Sequence, residues 1–152
     1  MKCAMEILEA KKIGDMERAE RKRQEELAKE AAKRQRREEA KPATFQYAEQ
    51  LVQQLYNRAK NGEDLKITRN YDVNQDGLYR QMTQDEEKYS NGVKPWYTSK
   101  SAPLLNLDYL TELLTDLCYK VERNQVSLHV NSCRTEKFHQ ITISVPASLP
   151  CK

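Results

Sequence analysis

The chain has 152 residues, with 26 Lys/Arg against 23 Asp/Glu for a formal net charge of +3; 38% of its residues are apolar and 32% charged. That length allows one modest core and an appendage, and only four Gly and five Pro argue for a helix-rich protein rather than a turn-rich sandwich. No apolar run reaches the roughly 20 residues needed to span a bilayer, and Glu6 and Glu9 interrupt the opening MKCAMEILEAKK where a secretory signal needs an unbroken apolar stretch. A cytoplasmic protein without membrane contact is expected. Its four cysteines, Cys3, Cys118, Cys133 and Cys151, form no CxxC pair, and reduced thiols fit that location.

Residues 1–41 hold 13 of the Lys/Arg and 10 of the Asp/Glu, so the whole excess of positive charge lies there, while 42–152 are neutral. From residue 15 to 41 there is no Gly or Pro, and strong helix formers dominate. Glu17 with Arg21, Glu25 with Lys29 and Glu30 with Arg34 stand at helical neighbour spacing, each pair adding about 0.2–0.5 kcal/mol to a helix. Met5, Ile7, Leu8 and Ile13 cluster near the start, but nothing apolar larger than Ala lies between Met16 and Leu27. A coiled coil is therefore not expected; a solvated helical arm is. Gly14 is a weak point where that helix could bend or start, and Lys41-Pro42 is its expected stop, because Pro disfavours helix in the preceding residue. The arm spans 1–41 and a compact α/β interaction domain spans 43–152.

In the domain, FQYAEQLVQQLYNRAKNG places Phe45, Ala48, Leu51, Val52, Leu55, Tyr56 and Ala59 on one helical face that closes at Asn61-Gly62. LKITRNY alternates as a half-buried strand does. After an irregular middle, LDYLTELLTDLCYKVER reads as a helix over 107–123 with Asn106 as N-cap, its face running from Leu107 to Cys118 and Val121. QVSLHV and HQITISV are two further strands joined by the long loop NSCRTEKF. The expected class is α+β: a long charged N-terminal helix, then a small domain of two main helices packed on a three-stranded, mainly antiparallel sheet. With a short helix in the middle, that order resembles a winged-helix domain whose wing is 131–138. The polar face of the 107–123 helix, with Asp108, Glu112 and Asp116, is unsuited to phosphates.

The candidate sites are few. Asp72-x-Asn74-x-Asp76-Gly77 begins like a calcium loop, but positions 9 and 12 are Arg80 and Thr83, where an oxygen and a bidentate Glu are required. The expected reading is a turn built from residues that favour turns, leading into a short helix that Thr83-x-x-Glu86 caps. His129-x3-Cys133-x5-His139-x11-Cys151 has zinc-ligand atoms at no common ligand spacing, and strand alternation puts the two histidines on opposite faces. No metal and no cofactor is expected. No catalytic motif is present, so the protein is expected not to be an enzyme, with no small-molecule substrate.

Two stretches suit a partner. Lys33, Arg34, Arg36 and Arg37 form the most basic run; it reads either as a phosphate-contacting or nuclear-import segment, or as a polar helix face balanced by Glu38 and Glu39. Lys94, Trp96, Tyr97 and Lys100 combine aromatics with cations, as a stacking or interface site does; the alternative is a Trp that fills the gap between helix and sheet. The expectation is a binding protein for a macromolecular partner, a protein or nucleoprotein complex, with nucleic acid reached through the basic arm. A winged-helix DNA-binding regulator is the alternative. In size and organisation the whole chain resembles small accessory proteins of bacterial phages and prophages, including inhibitors of host defence such as anti-CRISPR proteins. The resemblance implies an inhibitor of a host defence nuclease. It carries no motif and assigns no residue.

Overall fold

The computed structural model describes residues 1–72, 76–84, 96–99, 101–131 and 134–147. The chain divides into two compact units, Met1–Glu38 and Glu39–Lys152.

The first unit is one helix, α1 (Ala4–Glu39), without a single buried residue. Gly14, a candidate break, lies inside it. Local pairs such as Arg23 with Glu20 at 2.6 Å support it, while Met5, Ile7, Leu8, Ile13, Met16 and Leu27 are all exposed. Its composition, not burial, accounts for the helix.

The second unit starts at α2 (Lys41–Lys60), with Pro42 in the first turn. There the missing N–H removes only a donor that has no intrahelical partner. The remaining elements are β1 (Lys66–Tyr71), β2 (Leu78–Tyr79), β3 (Met82–Gln84), β4 (Trp96–Thr98), β5 (Leu105–Asn106), α3 (Leu107–Asp116), β6 (Lys120–Asn131) and β7 (Arg134–Ser144). The principal sheet is antiparallel in the order β1-β7-β6, and β2 pairs with β5 and β3 with β4. The α+β class expected from the sequence is the fold observed.

The core joins Ala48, Leu51 and Leu55 of α2 and Leu107, Leu110 and Leu114 of α3 to Ile67, Tyr71, Ile141 and Ile143 of the sheet. The residues in β1 and β7 share one face at period 2. The opposite face is polar: Thr68 meets Thr142 across the strands at 3.3 Å, and Gln140 donates to Asn70 at 3.1 Å. Thr44, fully buried, locks the starts of both helices together. Its hydroxyl donates to the Ala40 carbonyl at 2.7 Å and accepts from the Asn106 backbone at 3.0 Å. The Asn106 side chain in turn accepts from Tyr109 N at 3.1 Å, the N-cap expected at that position.

Both helices end in the same way. Glu63 N donates to Arg58 O at 2.9 Å and Gly62 N to Ala59 O at 3.2 Å; Tyr119 N donates to Leu114 O and Cys118 N to Thr115 O, both at 3.0 Å. This is the Schellman pattern, with Gly62 at φ 70° and Cys118 at φ 73° in the left-handed position. Cys118 is disulfide-bonded and Cys3 is free, so the disulfide partner lies outside the described residues. The expectation of reduced thiols, drawn from the absence of a secretion signal, does not hold for Cys118.

Three further expectations are corrected. The helix expected over 107–123 stops at Asp116, and Val121 is a strand residue opposite Ile143. A cysteine in the left-handed region gives no stop signal, and the leucine spacing carries past it. The long hairpin loop is absent: β6 and β7 stay paired out to Asn131 and Arg134, with a register shift between His129 and Asn131. On the β7 side, Arg134, Thr135, Glu136 and Lys137 extend the ladder where no apolar alternation marks it. Thr83 is a strand residue paired with Tyr97 in the β3–β4 ladder rather than the first residue of a helix; Glu86 and the short helix expected with it lie outside the described residues, and the same ladder runs into the segment expected to be irregular.

Candidate partner-binding groove

The apolar stripes of α2 and α3 are wider than the faces that reach the core. On α2, Leu51 and Leu55 are buried, while Phe45, seven residues before Val52, stays 46% exposed. On α3, Leu110 and Leu114 are buried, while Leu117, one turn beyond Leu113, is 61% exposed. Phe45, Ala48, Val52, Leu113 and Leu117 line a groove of about 390 Å³ between the two helices. Its remaining lining residues, Glu49, Gln53 and Asp116, add two carboxylates and an amide. Glu112, one turn before Asp116, is exposed on the same helix. An apolar floor with an acidic rim suits a segment that presents apolar anchors flanked by cations.

Sequence reasoning counted Phe45, Val52, Leu113 and Leu117 as stripe residues without singling them out as a site. The available signal was stripe width: apolar side chains at both edges exceed what one packed face needs.

The residues singled out from the sequence are placed elsewhere. Lys33, Arg34, Arg36 and Arg37 lie in the last turns of α1, where Arg36 and Arg37 complement the negative end of the helix dipole. Lys33 and Arg37, four residues apart, are half-buried, while Arg34 and Arg36 are exposed, so the four form no single uniformly presented row. Trp96 and Tyr97 belong to β4, opposite Gln84 and Thr83; their side chains, with Lys94 and Lys100, lie outside the described residues.

In the calcium-like stretch, Asp72 works as a turn residue. Its Oδ1 accepts from Arg80 N at 2.6 Å, and its own N donates to Arg80 O at 3.0 Å. Gly77 supplies the left-handed φ of 77°, and Asn74 is outside the described residues. No group of three His, Cys, Asp or Glu that could hold a metal occurs among the described residues. Of the zinc-like set, Cys133, Cys151 and the His129 side chain are outside them.

His139 Nε2 accepts from Arg123 Nε at 3.0 Å, and Arg123 Nη1 reaches Asp108 Oδ1 at 2.6 Å. The imidazole is thus held neutral, against the Tyr79 ring at 5.2 Å between centroids. Burial pulls its pKa below the usual value, the Arg123 charge does so further, and Asp108 opposes both. A second polar cluster is internal: Tyr71 and Tyr47 share a hydroxyl hydrogen bond of 2.7 Å, and Tyr47 donates to Gln81 Oε1. Burial raises the pKa of both phenols, so they remain protonated and bonded to one another. Both clusters are internally satisfied and serve packing.

No protein-family model, no curated protein and no solved structure matches the chain.

Proposed function

We propose that the protein is a non-enzymatic binding protein whose α2–α3 groove receives a basic amphipathic helix of a protein partner. The observation that carries this reading is the exposure of Phe45 and Leu117 over an apolar floor rimmed by Glu49 and Asp116. Helix-in-groove recognition uses anchors at i, i+3 or i+4 and i+7, and the acidic rim selects lysine or arginine beside them. The resemblance to phage accessory proteins adds inhibition of a host defence nuclease as the setting in which such docking would act.

A labelled Leu/Lys amphipathic helical peptide tests the groove. Binding to the full chain is expected to weaken at least tenfold, about 1.4 kcal/mol, in Leu117→Glu, an exposed lining position. Equal affinity in the two proteins would remove the groove from this role.

The winged-helix reading has one observation in its favour, the hairpin β6–β7 that follows α3 and returns beside β1. Against it, Asp108, Glu112 and Asp116 are all exposed on α3 and repel phosphate. A gel shift on random duplex at low salt is expected to show no retardation; salt-sensitive retardation would favour the DNA reading.

The compartment is part of the proposal. No described helix is long and apolar enough to cross a membrane. A disulfide at Cys118 persists in oxidising surroundings and is uncommon in the cytosol, so the cytoplasmic location requires that bond to be reduced or shielded in the cell.

A further inference from the structure

The disulfide partner of Cys118 follows from the sheet register. Cys3 is free, which leaves Cys133 and Cys151 among the four cysteines of the chain. Cys118 stands just before Lys120, where β6 begins, and Cys133 just after Asn131, where β6 ends. β6 has 12 residues, and at about 3.3 Å each its ends are about 36 Å apart. The short steps out to the two cysteines recover no more than about 7 Å apiece, so Cys118 and Cys133 stay about 20 Å or more apart. A disulfide needs Cα atoms within about 7 Å. Cys133 is out of reach. Cys151 is not, because Lys120 is paired with Ser144. The chain from Ser144 to Cys151 can span up to about 23 Å, against about 12 Å for the way back to Cys118.

We propose that Cys118 and Cys151 form a redox latch that holds the end of α3 in its left-handed cap. The bond fastens the segment after β7 to the residue whose own amide, with that of Tyr119, closes the last turn of the helix. Cys118 sits there at φ 73°, where its Cβ crowds the backbone. With the bond formed, Cys118 is held in place; with the bond broken, it is free to return to an ordinary dihedral and let the cap open. Cys118 is half-buried, so a small thiol can reach the bond. A thiolate of a reducing dithiol attacks one sulfur and the other leaves as thiolate. The second thiol of the reductant then closes its own disulfide and expels the first, so two electrons pass to the protein and both cysteines take up protons. Leu117, the neighbour of Cys118, lines the α2–α3 groove, so an open cap displaces one apolar wall. That last consequence rests on the groove reading above; the latch itself does not.

Tryptic digestion of the full chain, equilibrated with oxidised glutathione and left unreduced, tests the pairing by mass spectrometry. Cys118, Cys133 and Cys151 fall in different peptides, 101–120, 124–134 and 138–152. A linked pair of 101–120 with 138–152 is expected. A link from 101–120 to 124–134, or an unlinked 101–120, overturns the proposal. Hydrogen exchange tests the latch. Dithiothreitol is expected to speed exchange of the Cys118 and Tyr119 amides about tenfold through local opening. The amides of Gly62 and Glu63, which have the same bond pattern at the end of α2, should not change. Cys151→Ser without reductant should match reduced wild type, and Cys133→Ser should match oxidised wild type. Cap amides that exchange alike in both redox states overturn the latch. So does an equal rise at all four amides, which would mark a general loosening of the domain. Reduction should also weaken binding of the Leu/Lys peptide about threefold, as the competent cap becomes less populated. Equal affinity in both states overturns the coupling to the groove. No binding in either state, with cap amides that still respond, rejects the groove reading and leaves the latch in place.

Discussion

The ends of α2 and α3 have the same hydrogen bonds and the same left-handed residue, yet one uses Gly62 and the other Cys118. For Gly62 the conformation is free of side-chain strain. For Cys118 it costs about 1–2 kcal/mol, since Cβ crowds the backbone at positive φ, and the position is also covalently tied by a disulfide. One cap therefore holds through backbone preference. The other holds against preference, through the fold and a cross-link. The chemistry of a helix end is thus set by its bond pattern, and residue identity only decides how that pattern is maintained.

Removing the cross-link is the strongest way to break this parallel. Cys118→Ala is expected to lower stability by about 2–4 kcal/mol through loss of the disulfide, read as a fall in the denaturation midpoint, and a reducing agent should reproduce most of that fall in wild type. Cys118→Gly loses the same bond but relieves the strained φ, so it should exceed Cys118→Ala by about 1 kcal/mol. Equal midpoints for the two variants would show that the cap is not strained. Gly62→Ala makes the converse change. An added Cβ meets nothing within 4 Å, so the cost should be the dihedral penalty alone, about 1–2 kcal/mol.

The smallest effect concerns the other end of α3, where Asp108 in the first turn holds Arg123 against His139. The pKa of His139 lies below the usual 6.5 in the fold, so on acidification the unfolded chain takes up the proton first. Stability should therefore fall as pH drops below about 6.5, and level off once the folded imidazole also protonates. The thermal midpoint at neutral pH and at about pH 5 measures this. His139→Gln should show a smaller drop than wild type between those conditions; an identical drop would assign the acid sensitivity to other groups.

The same pair of helix ends shows what a sequence discloses. The start of α3 at Asn106 and the end of α2 at Asn61-Gly62 are marked by residues whose local chemistry acts in one way. The core was legible because Leu51, Leu55, Leu110, Leu114, Ile141 and Ile143 follow a single period within each element. The end of α3 was hidden because a cysteine at positive φ looks like any helical residue. The outer half of β7 was hidden because RTEK has no apolar alternation to count, and the first half of β6 because the apolar spacing of α3 carries on to Val121. The groove was half visible. Phe45 and Leu117 were recognised as apolar stripe members, but periodicity gives the direction of a side chain and not whether another element covers it. The basic run at Lys33–Arg37 illustrates the reverse case, a conspicuous pattern whose members turn to different surroundings.

The order β1-β7-β6 also governs when the domain can be assembled. The middle strand is the last of the three to leave the ribosome, so Ile67 and Tyr71 of β1 have no ladder until Ile141 and Ile143 have been made. In the fold β1 and β6 each pair with β7 and not with each other, and without β7 the helices α2 and α3 have no finished surface on which to settle. Closing such distant pairs is slow compared with forming helices. During synthesis, at about 5–20 residues per second, α1 can become helical from local interactions alone, whereas the domain must wait for β7. A ribosome that halts before Arg134 would thus release a chain with its helical arm formed and its apolar residues exposed.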